Sequence, residues 1–252
     1  MNYVEYGKEN KYDDDIFFQK YSQMSRSQKG LAGAGEWETL KKMLPDFKGK
    51  RVLDLGCGYG WHCIYAMENG ASSVVGVDIS HKMLEVAKEK THFPQVEYKC
   101  CAIEDVEFPE ESFDVILSSL AFHYVADYEI LVKKIYRILK SGGKLVFTVE
   151  HPVFTAYGTQ DWYYNEKGEI LHFPVDNYYY EGKRTAVFLG EKVTKYHRTL
   201  TTYLNTLLSN GFIINHIVEP QPPENMMDIP GMQDEMRRPM MLIVSANKKM
   251  DR

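Results

Sequence analysis

The sequence lacks the features of a membrane-spanning or exported protein. No apolar run reaches the roughly 18 residues that a membrane-spanning helix needs. Its first residues, MNYVEYGKENKYDDD, contain no apolar stretch of the kind found in signal peptides. The four cysteines form no CxxC pair and no histidines have the spacing of metal ligands, so we expect neither a disulfide framework nor a metal site. These absences predict a cytoplasmic protein without a membrane partner.

The sequence also has fewer basic residues than acidic ones. The sequence has 30 lysines and arginines against 35 aspartates and glutamates, a net charge of −5. A nucleic-acid-binding surface must neutralise phosphates, and only short basic clusters such as 133–134 and 248–249 occur here. We therefore expect no nucleic-acid partner, and the oligomeric state stays open.

What the sequence does contain is an alternation of strand and helix patterns between residues 50 and 150. Apolar segments indicate strands at 51–55, 73–78, 96–100, 113–119 and 144–150, with helix patterns between them. This alternation predicts an α/β fold of the doubly wound type, with right-handed crossovers and helices on both faces of a mostly parallel sheet. A helix at 199–209 and two more strands follow.

A glycine-rich turn, VLDLGCGYGWH, joins the first strand to the first helix of this alternation. In an open α/β sheet, ligands bind beyond the carboxyl ends of the strands, where glycines let them approach the backbone. Trp61 stands where a dinucleotide-binding turn needs its third glycine, and Asp54 would repel a pyrophosphate. A dinucleotide-dependent oxidoreductase is therefore disfavoured. Asp54 instead favours a ligand with an ammonium group, such as S-adenosylmethionine.

On these motifs the sequence resembles the class I S-adenosylmethionine-dependent methyltransferases, in particular their bacterial small-molecule branch. The resemblance is strong over residues 51–150 and looser in the flanks. It implies a Rossmann-like sheet of seven strands, mostly parallel with an antiparallel last strand. It also implies that Gly56, Cys57 and Gly58 run along the methionine part of S-adenosylmethionine, and that Asp78 accepts hydrogen bonds from both ribose hydroxyls.

The resemblance extends to the adenine and methyl ends of the cofactor. Ile79 and Met83 match apolar residues that flank adenine, and Ser119 and Leu120 match residues that line the sulfonium and methyl group. Many members carry an aspartate where this sequence has Ala102. We therefore expect the main chain of Ile103 and the carboxylate of Glu104 to hold the adenine edge instead.

The flanks complete what we expect to be a single domain. Residues 1–49, with helices at 14–24 and 36–44 and a small-residue loop at 25–35, resemble a lid in which Tyr21 and Leu31 exclude water. Arg26 either pairs with the cofactor carboxylate or is a surface charge. Residues 50–150 form the cofactor-binding core, 151–198 a substrate-covering insert, and 199–252 complete the sheet. The insert is rich in aromatic residues, which either face the substrate or form a small core of their own: Phe154, Tyr157, Trp162, Tyr163, Tyr164, Phe173, Tyr178, Tyr179 and Tyr180.

Methyl transfer requires an in-line approach to a sulfonium, and a general base only where the acceptor must lose a proton. His123, His151 and His197 are the candidate bases, because histidine titrates closest to neutral pH. Each can equally be a structural hydrogen-bonding residue. The sequence predicts a methyltransferase that acts on a small molecule. Methylation of protein or RNA, and a non-catalytic S-adenosylmethionine-binding module, are the alternatives.

Overall fold

The computed structural model describes residue 8 and residues 10–250. Eleven strands occur in this part of the chain: β1 (Arg51–Leu55), β2 (Ser73–Asp78), β3 (Val96–Cys100), β4 (Phe113–Ser119), β5 (Leu139–Glu150), β6 (Tyr163–Tyr164), β7 (Ile170–His172), β8 (Gly182–Phe188), β9 (Glu191–His197), β10 (Phe212–Val218) and β11 (Met241–Lys248). Its α-helices are α1 (Asp15–Ser22), α2 (Ser25–Lys29), α3 (Trp37–Met43), α4 (Trp61–Glu68), α5 (His81–Lys90), α6 (Tyr128–Ile138), α7 (Pro152–Ala156) and α8 (Leu200–Ser209).

Seven of the strands form one sheet in the order β10-β11-β5-β4-β1-β2-β3. The pairs among β1 to β5 are parallel, whereas β11 lies antiparallel to both β5 and β10. The predicted seven-stranded sheet with an antiparallel last strand is therefore confirmed. The chain runs outward from β1 through β2 to β3 and then returns to β4, so the strand order reverses between β1 and β4. A crevice at such a reversal is where open α/β sheets bind ligands.

Apolar side chains cover both faces of the sheet. On β1, Leu53 and Leu55 pack with residues of α6 and α8 in one buried cluster. Val52 points to the other face and packs with residues of α3, α4 and α5. Successive side chains of a strand point to opposite faces, so β1 needs an apolar residue at nearly every position.

Side-chain caps define the starts of several helices. Ser80 caps α5, because its hydroxyl accepts a hydrogen bond from the backbone N–H of Met83. Asp127 and Thr199 cap α6 and α8 in the same way. These caps fix the first turn of each helix.

Two predicted boundaries were wrong. The small-residue segment 25–35 is not a loop but contains α2 and a 3₁₀ turn, Gly30–Gly33. Small residues permit a tight coil there, because a Cβ on Gly33 would lie 2.2 Å from the carbonyl oxygen of Ser25. The fifth strand begins at Leu139 rather than Lys144, since it continues through a register shift beside Phe113.

The insert contains two antiparallel hairpins, β6–β7 and β8–β9, separate from the main sheet. Helix α1 of the N-terminal segment packs on the second hairpin, where Phe17 contacts Ala186 and Val193. None of the helices between residues 10 and 250 is both long enough and apolar enough to cross a membrane.

Candidate active site

A cavity of about 240 Å³ lies at the carboxyl edge of the sheet, beside the reversal between β1 and β4. The segments that follow β1, β2, β3 and β4 all contribute to its lining, together with the end of β5. Twelve of the residues predicted from the sequence line it: Tyr21, Arg26, Gly56, Gly58, Asp78, Ile79, Met83, Ile103, Glu104, Ser119, Leu120 and His123. The five others, Leu31, Asp54, Cys57, His151 and His197, are not among its lining residues.

The glycine turn after β1 shapes one wall of the cavity. Gly56 has a φ of +79°, and a Cβ there would lie 2.4 Å from the Cβ of Ala121. Gly58 has a φ of +53°, and a Cβ there would meet nothing within 4 Å. Both positions need glycine for backbone reasons, since left-handed conformations strain other residues. The open space in front of Gly58 leaves the backbone accessible to a ligand.

Asp78, at the end of β2, is held in place beside this turn. Its Oδ2 accepts a hydrogen bond of 2.8 Å from the Gly58 N–H, and its Oδ1 accepts one of 2.9 Å from the Ser80 N–H. Burial raises the pKa of the Asp78 carboxyl, against the effect of these two bonds. Each carboxylate oxygen can accept a further hydrogen bond, so the pair of hydroxyls on a ribose fits this group.

The residues predicted to surround adenine come together on the same side of the cavity. Ile79 and Met83 follow β2, and Ile103 and Glu104 follow β3. Ala102, which replaces the aspartate of many relatives, is also part of the lining. The Glu104 carbonyl oxygen accepts a hydrogen bond of 2.7 Å from Lys134 Nζ, while no hydrogen bond is recorded for its carboxylate within the described chain.

Asp54 lies behind the glycine turn. It is 1% exposed, its Oδ2 accepts a weak hydrogen bond from the Cys63 thiol at 3.5 Å, and its Oδ1 has no hydrogen-bond partner among residue 8 and residues 10–250. Burial raises the pKa of this carboxyl to about 7. The side chains of Cys57 and Leu31 also lie off the cavity, in the apolar cluster under α3 and α4. Only the backbone of Cys57, between two lining glycines, adjoins the ligand space.

Arg26 is a half-buried ion-pair partner rather than a free surface charge. Its Nη2 donates to both carboxylate oxygens of Glu36, at 2.6 and 2.8 Å, and Glu36 is 2% exposed. Burial opposes the charge of Arg26, but Glu36 raises the pKa of the guanidinium above its usual value. The Nε and Nη1 groups remain as donors on a side chain that lines the cavity.

At the end of β4 the backbone adopts a strained conformation. Leu120 has a φ of +54°, a region that residues with a Cβ seldom occupy. Its N–H donates to both the carbonyl oxygen and the Oγ1 of Thr148, at 2.9 and 3.0 Å. Ser119 Oγ lies 3.3 Å from the same Thr148 Oγ1. Strain of this kind is concentrated at ligand sites, where surrounding contacts enforce it.

Only one of the three candidate histidines lines the cavity. His123 Nδ1 accepts a hydrogen bond of 3.4 Å from the Glu150 N–H, and its Nε2 lies 4.0 Å from Glu150 Oε1. Burial lowers the pKa of His123 to about 4, so the ring is neutral at neutral pH.

The other two histidines hold the insert in place. His151 Nδ1 caps α7 by accepting from the Val153 N–H at 3.1 Å, and its Nε2 lies 2.8 Å from Glu219. His197 Nδ1 lies 2.7 Å from Thr155 Oγ1, and its Nε2 lies 2.9 Å from the Tyr178 carbonyl oxygen. In both rings the nitrogens are directed at protein groups. This pattern is typical of a structural hydrogen-bonding histidine, the alternative to a general base that the sequence left open.

Sequence reasoning missed a second polar cluster in the cavity. Lys195 Nζ donates to Glu150 Oε1 at 2.5 Å and to Gln160 Oε1 at 2.8 Å, and Gln160 Nε2 donates to Glu150 Oε2 at 2.5 Å. Glu150 ends β5 directly before His151, so its place at the sheet edge was visible in the sequence. No local signal marked Lys195, because only the fold of β8–β9 brings it to the cavity.

Three aromatic residues of the insert form a small core of their own, whereas five of the nine, Tyr157, Tyr163, Tyr164, Tyr179 and Tyr180, are exposed. The rings of Phe154, Trp162 and Phe173 surround the Arg238 guanidinium, whose carbon lies 4.5 to 5.0 Å from the three ring centres. None of the nine aromatic residues singled out from the sequence lines the cavity. The insert instead reaches the cavity through Phe188 and Lys195 of the β8–β9 hairpin.

The N-terminal segment closes another side of the cavity. Tyr12, Tyr21 and Met24 belong to the lining, and the Tyr12 hydroxyl lies 3.3 Å from that of Tyr124. Asp13 ties the segment to the core, because it accepts hydrogen bonds from the Ser80 hydroxyl at 2.6 Å and from the Lys82 N–H at 3.1 Å.

The fold and this cavity are those of a cofactor-binding α/β enzyme, and comparisons with known proteins identify its family. Residues 53–147 match the methyltransferase domain family. A crystal structure from Listeria monocytogenes, of a protein classed as an S-adenosylmethionine-dependent methyltransferase, is 59% identical with a TM-score of 0.84, over 87% of this chain and 99% of that one. An S-adenosylmethionine-dependent methyltransferase from Mesorhizobium loti is 41% identical with a TM-score of 0.80, over 86% and 100% of the two chains.

The chain therefore belongs to the class I S-adenosylmethionine-dependent methyltransferases, and S-adenosylmethionine is its methyl donor. A further relative is a ubiquinone biosynthesis O-methyltransferase from Coxiella burnetii, 36% identical over 112 residues. That match covers 44% of this chain and 47% of the relative.

Proposed function

We propose that the cavity holds S-adenosylmethionine with its adenosine at the ends of β2 and β3 and its methionine part along the glycine turn. Asp78 takes the ribose hydroxyls, Gly56 to Gly58 face the methionine part, and Arg26 binds the carboxylate. The remaining predicted contacts follow from the same orientation: Ile79, Met83, Ile103 and Glu104 surround adenine, Tyr21 covers the cofactor, and Ser119 and Leu120 lie beside the sulfonium.

Three features of the chain support this orientation. The open space in front of Gly58 suits a ligand that approaches the backbone. Arg26 retains donors that are not engaged by Glu36. The unpartnered Oδ1 of Asp54 is a buried acceptor behind the turn, which suits the long-range attraction of an ammonium group. The cofactor supplies a methyl carbon on a positively charged sulfur.

We propose further that the methyl acceptor is a small molecule, and the charges of the cavity carry this conclusion. Each lysine or arginine in its described lining is paired with a carboxylate: Lys8 with Asp105, Arg26 with Glu36, and Lys195 with Glu150. No unpaired cation is left there for the phosphates of an RNA. The N-terminal segment, the end of β5 and the β8–β9 hairpin all line the same cavity, which suits a compact acceptor beside the cofactor.

Labelled methyl transfer from S-adenosylmethionine tests this proposal. The protein is incubated with methyl-tritiated S-adenosylmethionine and three fractions of a bacterial lysate: metabolites that pass an ultrafiltration membrane, total protein and total RNA. We expect label in the metabolite fraction, and an Asp78→Asn variant should lose both the transfer and S-adenosylhomocysteine binding. Label confined to RNA or protein would overturn the small-molecule proposal and leave the cofactor site intact.

We also propose that the protein is located in the cytoplasm, because all four cysteines are free thiols.

A further inference from the structure

Glu150 is an ionisable group in the cavity to which the proposed cofactor orientation assigns no contact. It ends β5 in register with Met241 of β11, and its side chain is 12% exposed. Both carboxylate oxygens are fixed, Oε1 by Lys195 and Oε2 by Gln160. Because Lys195 also donates to Gln160, the three side chains form a closed network with one orientation.

His123, the nearest alternative base, has no free lone pair to offer an acceptor. Its Nδ1 accepts from the Glu150 N–H, so the proton of the neutral ring belongs on Nε2, which faces the Glu150 carboxylate. The imidazole is thus directed at residue 150 through both nitrogens. A general base needs an accessible lone pair within hydrogen-bond reach of the acceptor. His123 is therefore a positioning residue in this arrangement.

Charges around Glu150 keep it ionised. Burial alone would raise the pKa of its carboxyl, but the charge of Lys195 and the hydrogen bonds from Lys195 and Gln160 lower it below the usual value. Burial raises the pKa of the Tyr203 hydroxyl on α8, and the negative charge of Glu150 raises it further. A buried carboxylate with fixed donors still has lone pairs for one more hydrogen bond.

The surroundings of Glu150 are otherwise apolar and aromatic. Met241 pairs with it across the strands, and the Phe188 ring centre lies 5.5 Å from Lys195 Nζ. The Tyr124 ring lies 4.5 Å from that of His123, and Tyr12 contacts Tyr124. A flat apolar molecule gains contact area from such walls, and the carboxylate offers it one polar anchor.

We propose that Glu150 is a catalytic residue that binds the proton-bearing oxygen or nitrogen of an aromatic acceptor and takes its proton during methyl transfer. This inference rests on the proposed small-molecule function. The lone pair of the acceptor atom forms the new bond to the methyl carbon, and the carbon–sulfur bond breaks with its electron pair on sulfur. The acceptor's proton passes to a Glu150 oxygen and then to solvent, so the acceptor leaves uncharged.

Binding of simple probes tests the recognition step without an identified substrate. Protein saturated with S-adenosylhomocysteine is titrated calorimetrically with phenol, with anisole, which has no proton to donate, and with phenyl phosphate. A hydrogen bond to a charged group is typically worth enough to favour phenol by about tenfold or more over both other probes. Glu150→Gln should reduce that preference to about threefold or less, because its amide is a weaker acceptor.

The control is Glu181→Gln, which removes a hydrogen-bonded carboxylate at the start of α8, outside the cavity. It should keep the preference for phenol. Equal binding of phenol and anisole to the wild type, or an undiminished preference in Glu150→Gln, would overturn the role of Glu150. Binding of S-adenosylhomocysteine without binding of any probe would overturn the aromatic class. Loss of S-adenosylhomocysteine binding itself would instead contradict the proposed cofactor site.

The pH dependence of phenol binding tests the role of Lys195. Phenol should bind while Glu150 is ionised and lose affinity as the pH falls through the pKa of that carboxyl. Lys195→Met removes the neighbouring positive charge, so burial raises this pKa and the loss should begin at a higher pH. Lys195→Arg keeps the charge and should behave as the wild type does. A pH profile unchanged by Lys195→Met would contradict an ionised Glu150 as the binding group.

Discussion

Asp54 makes the folded protein less stable as the pH rises towards neutrality. Its carboxyl is buried, one oxygen has no partner, and its pKa in the folded state is raised from 3.8 to about 7. Between these two pH values the unfolded chain has released the proton while the folded chain still binds it. Stability therefore falls as the pH rises through this window, and the penalty is complete above about pH 7. Asp54→Asn removes the titration.

The size of the effect follows from the two pKa values. Each pKa unit corresponds to about 1.4 kcal/mol, so the penalty on the wild type is about 1–2 kcal/mol at pH 5 and about 4 kcal/mol at pH 8. The asparagine amide, with donors that lack a partner, adds a cost of about 1–3 kcal/mol that is independent of pH. The stability of Asp54→Asn relative to the wild type should therefore increase by roughly 2–3 kcal/mol from pH 5 to pH 8.

Thermal unfolding of both proteins at the two pH values measures this difference. For a chain of this size, it corresponds to a relative gain of roughly 5–12 °C in melting temperature. Asp114→Asn is the matched control: its hydrogen bonds to Arg51 and Lys140 lower the pKa of Asp114 despite the opposing effect of burial. That carboxyl is ionised in both states between pH 5 and 8, so the difference should stay constant. A constant difference for Asp54→Asn as well would refute the raised pKa.

Four further substitutions distinguish residues that shape the cavity from residues that support it. Gly56→Ala should lower the melting temperature, because the new Cβ would clash with Ala121. Gly58→Ala should reduce the stability by about 1–2 kcal/mol, because the residue has a positive φ. Its main effect should be weaker S-adenosylhomocysteine binding, measured by calorimetry. Equal affinity in Gly58→Ala and the wild type would contradict the proposed path of the cofactor. His197→Gln should lower the melting temperature with little change in turnover, and a loss of turnover at full cofactor affinity would restore it as a base. Trp162→Leu should destabilise the insert core without changing cofactor affinity, and a change in affinity would link that core to the cavity.

Much of the fold was predictable because its elements are encoded locally. The strands β1 to β4 have the boundaries that the sequence predicted. β1, β2 and β4 are short apolar runs that end at or before a glycine, an aspartate or a serine, and β3 alternates apolar and charged residues. The segment 25–35 was harder to predict, because small residues indicate a loop but also permit close packing. Gly33 shows the second case, where the absent side chain lets α2 and the following turn coil against each other.

The cofactor side of the cavity was predictable for the same reason. Gly56, Gly58 and Asp78 follow directly after β1 and at the end of β2, so a short stretch of sequence determines their position. The candidate histidines were not predictable, because their roles depend on partners far along the chain. His197 is engaged by Thr155 and Tyr178, which only the folded insert brings near it.

The two halves of the cavity therefore tolerate substitutions to different degrees. The glycine turn and Asp78 are positioned by backbone that also pairs β1 with β2, so a substitution there alters the sheet as well as the ligand site. The acceptor half depends on side chains from β5 and the β8–β9 hairpin, which is not part of the main sheet. Lys195, which contacts Glu150 and Gln160, can therefore be exchanged without altering the glycine turn or Asp78. Phe17 of α1 packs on the rest of the hairpin, so an exchange of all of residues 182–197 would also change the packing of the helix that carries Tyr21. We infer that exchanging residue 195 alone between two relatives should change acceptor preference while S-adenosylhomocysteine affinity stays constant.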